Sequence, residues 1–131
     1  EVKAYMDGNV AFARANGYAV TMLGRRRYIK ELNSSNYNMR QFGERAAMNM
    51  PLQGSAADII KLAMINVDKR LKKEKLKSEL ILQIHDELII DAFKSEQKAV
   101  EKILVEEMGG AAKLSVPLTV SLGAGETWYD A

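Results

Sequence analysis

Leu80-Ile81-Leu82-Gln83-Ile84-His85-Asp86-Glu87-Leu88-Ile89-Ile90 is the stretch on which the reading of the chain turns. Two apolar runs, each short enough for a strand, flank three polar residues with no Gly, Pro or Asn among them. Turns normally use residues that tolerate special backbone angles or cap their own amides, so His-Asp-Glu is an unusual choice on structural grounds alone. If both runs are buried strands, Asp86 and Glu87 stand at a hairpin tip held by a packed sheet. Adjacent carboxylates on a rigid scaffold can hold a hard metal ion. A solvated acidic turn satisfies the same pattern, and this stretch alone leaves both readings open.

On the first strand Leu80, Leu82 and Ile84 alternate with Ile81, Gln83 and His85, and on the second Leu88, Ile90 and Ala92 alternate with Ile89, Asp91 and Phe93. Downstream, Ser95 starts a helix with Val100, Ile103, Leu104 and Met108 at helical spacing, stopped by Gly109-Gly110. After Pro117, Leu118, Val120 and Leu122 alternate with Thr119 and Ser121, which predicts a half-buried strand. Upstream lies a long helical region. Met39, Phe42, Ala46 and Met50 form an apolar stripe, and Arg45, Asn49 and Gln53 recur every four residues on another face. Each of these three is rotated only about 40° from the last if the helix continues. Pro51 predicts a kink or break there, because it lacks an N–H and its ring clashes one turn back. Ser55 then reads as the N-cap of a restarted helix, with Asp58 completing a variant capping box. Ala56, Ile60, Ala63, Val67 and Leu71 would be its buried face, and its Lys-rich end reads as a solvated surface. The first third predicts a helix over 2–16 stopped at Gly17, a hairpin around Gly24, and a loop of cap-forming residues over 33–36.

The expected fold class is therefore α+β, with an antiparallel sheet made of a hairpin and a C-terminal strand packed on helices. An N-terminal helix and small hairpin precede it. One face of the sheet would be covered by helices and the other left for a ligand. The 131 residues fit one domain, and 47% hydrophobic with 27% charged is ordinary globular composition. No apolar run approaches the roughly 20 residues needed to span a bilayer. With no Cys there is no disulfide framework and no Cys-based zinc or redox site, and an intracellular protein is the expectation. The net charge of +2 is unevenly spread: residues 1–45 hold eight Lys/Arg against four acids, and the remainder holds 11 against 13. Arginine dominates the first part, and its planar fork suits phosphate and base contacts, so a polyanion near the N-terminal third is indicated. The chain opens at Glu1 inside a helical pattern without an initiator Met, so it is expected to be a piece of something longer.

Nucleophilic catalysis finds little support, with one His and no Gly-x-Ser-x-Gly elbow. No glycine-rich phosphate loop opens a helix, and a single His argues against zinc. Asp86 and Glu87 remain, suited by hardness to Mg²⁺ or Mn²⁺. Two carboxylates cannot fill an octahedral shell, so water, a substrate phosphate or another chain segment must supply the rest. A lone His beside an apolar strand is more often structural, but the place of His85 beside two acids favours function. Arg45, Asn49 and Gln53 fit an ordinary exposed stripe or a set of donors able to read base-edge acceptors. Their chemistry, unlike the Glu and Lys usual on exposed helix faces, favours the second. Met50, Met64 and Met108 read as core filler.

Gln83-Ile84-His85-Asp86-Glu87-Leu88 resembles the Q-V-H-D-E-L signature, motif C, of family A DNA polymerases, the bacterial DNA polymerase I type. Leu23-Gly24-Arg25-Arg26-Arg27-Tyr28, then the run from Glu44 to Lys61, then Thr127-Trp128-Tyr129-Asp130-Ala131 look like that family in the same order. The resemblance covers essentially the whole chain.

The resemblance implies a C-terminal portion of a polymerase domain, with about 1–35 at the base of the fingers and about 36–131 in the palm. It implies that Asp86 is one of two metal-binding aspartates and that Glu87 is an accessory catalytic carboxylate near the primer end. His85, Arg45, Asn49 and Gln53 would contact the primer terminus and the duplex minor groove, and Arg25–Arg27 the backbone phosphate. The implied partners are primer-template DNA and a deoxynucleoside triphosphate. The implied cofactor is a pair of Mg²⁺ ions, with Mn²⁺ as a substitute. The implied setting is DNA replication and repair by a monomer in the bacterial cytoplasm, without a membrane. The family's other metal-binding motif, D-Y-S-Q-I-E-L, and its triphosphate-binding R-x-x-x-K-x-x-x-Y-G helix are both absent from this sequence. The 131-residue chain by itself is therefore expected to be inactive. The competing expectation is a non-catalytic α+β module that binds nucleic acid with its open sheet face.

Overall fold

The structure, a computed structural model, describes residues 1–131. Two compact units divide the chain, Glu1–Asp58 and Ile59–Ala131.

In the first unit, helix α1 (Val2–Asn16) ends where the sequence places its stop. Gly17 takes a left-handed φ of 78° and returns its N–H to Ala13 O, a conformation that costs a Cβ-bearing residue strain. Strands β1 (Tyr18–Val20) and β2 (Arg26–Tyr28) pair antiparallel, Tyr18 opposite Tyr28 and Val20 opposite Arg26. A 3₁₀ turn at Lys30–Asn33 leads to helix α2 (Tyr37–Asn49). Asn36 caps α2, its side-chain oxygen accepting from the backbone N–H groups of Asn38 and Met39. Ala13, Ala19, Ile29, Leu32, Ala47 and Met50 form the core. The expected stripe is rotated: Met39 and Phe42 are exposed, and α2 packs through Gly43 and Ala47. The reason is closeness, since a Cβ on Gly43 would stand 2.8 Å from Leu32 N. Large side chains do not fit on that face, so the small ones take it.

The helical path does not break at Pro51. A π turn, Met50–Gly54, joins α2 to helix α3 (Ser55–Lys73). Such a wide turn, with i→i+5 bonding, accommodates a residue that cannot donate. Ser55 is therefore not an N-cap. Its backbone is helical (φ −66°, ψ −41°), and its hydroxyl donates to Pro51 O. Nor does Asp58 close a capping box; its carboxylate faces the β1–β2 hairpin and accepts from Thr21 and Arg25.

In the second unit, β3 (Glu79–Ile84) and β4 (Glu87–Asp91) form an antiparallel hairpin. A 3₁₀ turn at Lys94–Glu96 precedes helix α4 (Gln97–Gly109), and a second closes the chain at Trp128–Asp130. Val67 and Leu71 of α3 pack with Val100 and Ile103 of α4, and Leu80, Leu88 and Ile90 of the hairpin lie against them. Arg70 links the helices, its guanidinium donating to Glu74 and Glu107 and pairing with Glu106 at 2.5 Å. Those three hydrogen-bonded carboxylates push its pKa further up. At the hairpin base Glu96 accepts from Lys77 N, Ser78 N and Ser78 Oγ, while Ser78 Oγ accepts from Phe93 N. These bonds, that of the Ser78 hydroxyl foremost, hold the Glu96 pKa below the ordinary glutamate value.

The fold is α+β with antiparallel pairing, as the sequence indicates, but three details differ. Residues 118–122 form no strand, and the sheet has two strands. Alternation makes a segment fit for a sheet, yet a strand exists only when a partner takes up its amides and carbonyls. Strict alternation along β3 is interrupted by a bulge: Leu80 faces Ile90, but Leu82 faces Ile89, and Ile81 is turned outward. On α3, Ala63, Val67 and Leu71 are buried as expected, whereas Ala56 is exposed.

Candidate nucleic-acid interface

The tip of the β3–β4 hairpin is a two-residue turn. Ile84 and Glu87 are its last paired residues, so only His85 and Asp86 lie in the loop, and Glu87 belongs to β4. His85 takes a positive φ of 51°. Short hairpin turns fill such positions with Gly, Asn or Asp, because a Cβ there meets the backbone. The strain matches why the stretch looks wrong for a turn: the left-handed position is filled by His85, not by one of those residues. Gln83 Nε2 donates to His85 O at 2.7 Å and fixes the turn from below. Leu88 and Ile90 anchor β4 on the helices, so Glu87, out of phase with them, projects from the open face with Ile89.

All three side chains of the tip are exposed. No three carboxylate or imidazole groups of the chain come together to hold a metal. Asp86 offers hard oxygen ligands on a fixed backbone, which suits a divalent cation such as Mg²⁺. Glu87, the next residue in sequence, is already paired in β4. The donors fit the ion in kind and fall short of it in number.

The first unit carries the other candidate set. Arg45, Asn49 and Gln53 line one groove of about 470 Å³, together with Arg25, Arg27 and Phe42. A uniform α-helix would let three residues at steps of four drift steadily around its axis. The π turn between Asn49 and Gln53 passes through less angle per residue, which offsets that drift and keeps Gln53 on the groove side. π turns recur at functional sites for this kind of reason.

The Arg25–Arg27 run is divided in its duties. Arg25 Nε donates to Asp58 Oδ1 at 2.6 Å and its Nη2 to Gly54 O at 3.0 Å. Arg26 lies over the Tyr18 ring, 4.7 Å from its centre. Arg27 is exposed and makes no such pairing within the chain. Of the three, Arg25 has its guanidinium hydrogen-bonded within the chain.

Sequence reasoning puts His85, Asp86 and Glu87 together at the tip, and Arg45, Asn49 and Gln53 together on one face; the structure leaves only His85 and Asp86 in the loop, with Glu87 already paired in β4, and brings Arg45, Asn49 and Gln53 to one groove. The two sets belong to different units. It missed Thr21, Arg25 and Asp58 as a cluster. The available signal was an aspartate in the mostly apolar first turns of α3, which needs a partner when buried.

The chain matches the family model for DNA polymerase family A over residues 1–130, and it belongs to that family. Among curated relatives it is 54% identical over 130 residues to DNA polymerase I of Bacillus subtilis (strain 168), and 52% over 130 residues to that of Geobacillus stearothermophilus. Each alignment takes in 99% of this chain and 15% of the relative. DNA polymerase I of Mycobacterium tuberculosis (strain H37Rv) is 52% identical over 127 residues, covering 97% and 14%. The chain thus spans about a seventh of the length of these relatives. Among solved structures, the POL domain of Pol1 from M. smegmatis, in complex with DNA primer-template and dNTP, superimposes with a TM-score of 0.96 at 51% identity. That match covers 98% of this chain and 23% of the other.

Proposed function

We propose that the chain is a working part of a DNA-directed DNA polymerase that adds deoxynucleotides to a primer 3′-hydroxyl during DNA replication and repair. In this reading residues 1–35 form the base of the fingers and residues 36–131 belong to the palm. Asp86 is a metal ligand, and Glu87 an accessory catalytic carboxylate beside the primer end. Arg45, Asn49, Gln53 and His85 hold the primer terminus and its duplex, and Arg27 takes a backbone phosphate. Asp86, together with ligands from outside this chain, would help hold divalent ions, Mg²⁺ or Mn²⁺, which would supply charge stabilisation at the reacting phosphate. The protein's own share is placement: the sheet fixes where the Asp86 oxygens stand, and the groove fixes the primer. Purine N3 and pyrimidine O2 offer acceptors in the minor groove of every correct pair, so Arg and Gln donors sense pair geometry without reading sequence. The relatives are bacterial, and the same reading makes the protein a monomer of the bacterial cytoplasm.

The observation that carries the reading is the gathering of Arg45, Asn49 and Gln53 into one groove, in a chain that belongs to this family from end to end. The test is Asp86→Ala in a polymerase carrying this chain. Single-nucleotide extension should be abolished while duplex affinity stays within about twofold. Retained extension would overturn the metal role. Tighter duplex binding with no change in turnover would instead favour a module that only binds nucleic acid.

A further inference from the structure

The Met50–Gly54 π turn is what keeps Gln53 on the same groove as Arg45 and Asn49, and a π turn is not self-sustaining. Its wide bonding leaves carbonyls poorly served, and ordinary α-helical bonding competes with it. Something outside the helix has to hold it. The β1–β2 turn does so at several points. Ser55 N–H bonds to Leu52 O, which leaves Pro51 O to the Ser55 hydroxyl, and that hydroxyl in turn accepts from Met22 N at 2.9 Å. Arg25 Nη2 donates to Gly54 O at 3.0 Å. Thr21 Oγ1 donates to Asp58 Oδ2 at 2.6 Å and accepts from Arg25 N at 3.1 Å. Contact is close as well: a Cβ on Gly54 would lie 2.7 Å from Thr21 Cγ2.

Asp58 is the centre of this arrangement. It is 9% exposed, and its two oxygens bind two different residues of the hairpin turn. A buried carboxylate is costly unless paired and hydrogen-bonded, so its partners are held firmly once in place.

We propose that Asp58, acting through Thr21 and Arg25, is a positioning residue that holds the Met50–Gly54 π turn in register and so aims Gln53, alongside Arg45 and Asn49, at the minor groove of the primer terminus. Asp58 touches neither DNA nor nucleotide in this scheme. It sets the geometry with which a mispaired terminus is sensed. The inference rests on the proposed role of the Arg45–Asn49–Gln53 groove.

The experiment uses a polymerase carrying this chain and a matched primer ending in guanine or in 3-deazaguanine, which lacks the N3 acceptor. In the unmutated enzyme the missing acceptor should slow single-nucleotide extension about tenfold, the effect of one hydrogen bond to a well-placed donor. In Asp58→Asn and in Arg25→Lys that ratio should fall below about threefold, because the donors no longer meet the acceptor. A loss of folded enzyme scales both rates alike and leaves their ratio untouched, so the ratio separates aim from stability. Should Asp58→Asn fail to fold, Arg25→Lys and Thr21→Val carry the same test with the carboxylate in place. A tenfold ratio that persists in every folded variant overturns the positioning role alone. A ratio near one in the unmutated enzyme overturns the groove reading, and this inference with it.

Discussion

Replacing His85 with Gly should make the β3–β4 hairpin more stable and the polymerase worse. His85 is held at φ 51° in a two-residue turn. The left-handed region costs a non-glycine residue about 1–2 kcal/mol. Glycine removes that strain but gives back about 0.4–1 kcal/mol through its larger freedom in the open state. The side chain is exposed, so no buried contact is lost with it. The balance is a gain of about 0.5–1 kcal/mol, which corresponds to amide exchange in β3 and β4 slower by about two- to fivefold. Primer extension should fall at the same time, because on the proposed reading the imidazole is a contact to the primer terminus. Both are measurable on one polymerase carrying this chain, by hydrogen exchange resolved to the hairpin and by single-nucleotide extension. Faster exchange in His85→Gly would refute the strain argument. Unchanged extension would refute the functional reason for tolerating the strain.

Three further outcomes follow from specific contacts. The Glu96 carboxyl sits below its ordinary pKa because the folded state hydrogen-bonds its charged form. Its contribution is therefore present above the usual glutamate value of about 4.3 and is lost as pH falls through the lower folded value. Protection factors at the Lys77 and Ser78 amides, corrected for the intrinsic pH dependence of exchange, should fall over that acidic window in the unmutated chain, and Glu96→Gln should abolish the pH step. In Gly54→Ala the new Cβ would lie 2.7 Å from Thr21 Cγ2 and 2.8 Å from Met50 Sδ. Overpacking of that kind costs about 1–3 kcal/mol, visible as a lowered denaturation midpoint; an unchanged midpoint would mean that the hairpin backs away freely. The purified 131-residue chain with Mg²⁺ and primer-template should give no extension, since Asp86 alone cannot hold two ions, and any extension free of contaminating polymerase would contradict that.

What could be read from the residues in order, and what could not, divides along a physical line. Helix α1 with its Gly17 stop, the Asn36 cap and both hairpins depend on neighbours within a few positions, and local chemistry identifies them. Ser55 and Asp58 match a capping box just as well locally, and there the local pattern misleads. The partners that claim Asp58, Thr21 and Arg25, lie 37 and 33 residues away. A buried carboxylate goes to the donors that satisfy it, and spacing along one helix does not report them. The 118–122 segment fails in a similar way, for alternation describes a face while a strand requires a partner. Arg45, Asn49 and Gln53 show the reverse case. Their common face was inferred from unbroken α-helical spacing, but Pro51 removes an amide in the middle of it. The grouping survives because the π turn offsets the drift that a uniform helix would accumulate. At the tip, adjacency of the acids is plain in the sequence, whereas the left-handed backbone of His85 is not. A positive φ does not by itself mark function, since Lys75 takes one of 56° in another turn; what singles out the His85 turn is that the strained loop also carries Asp86.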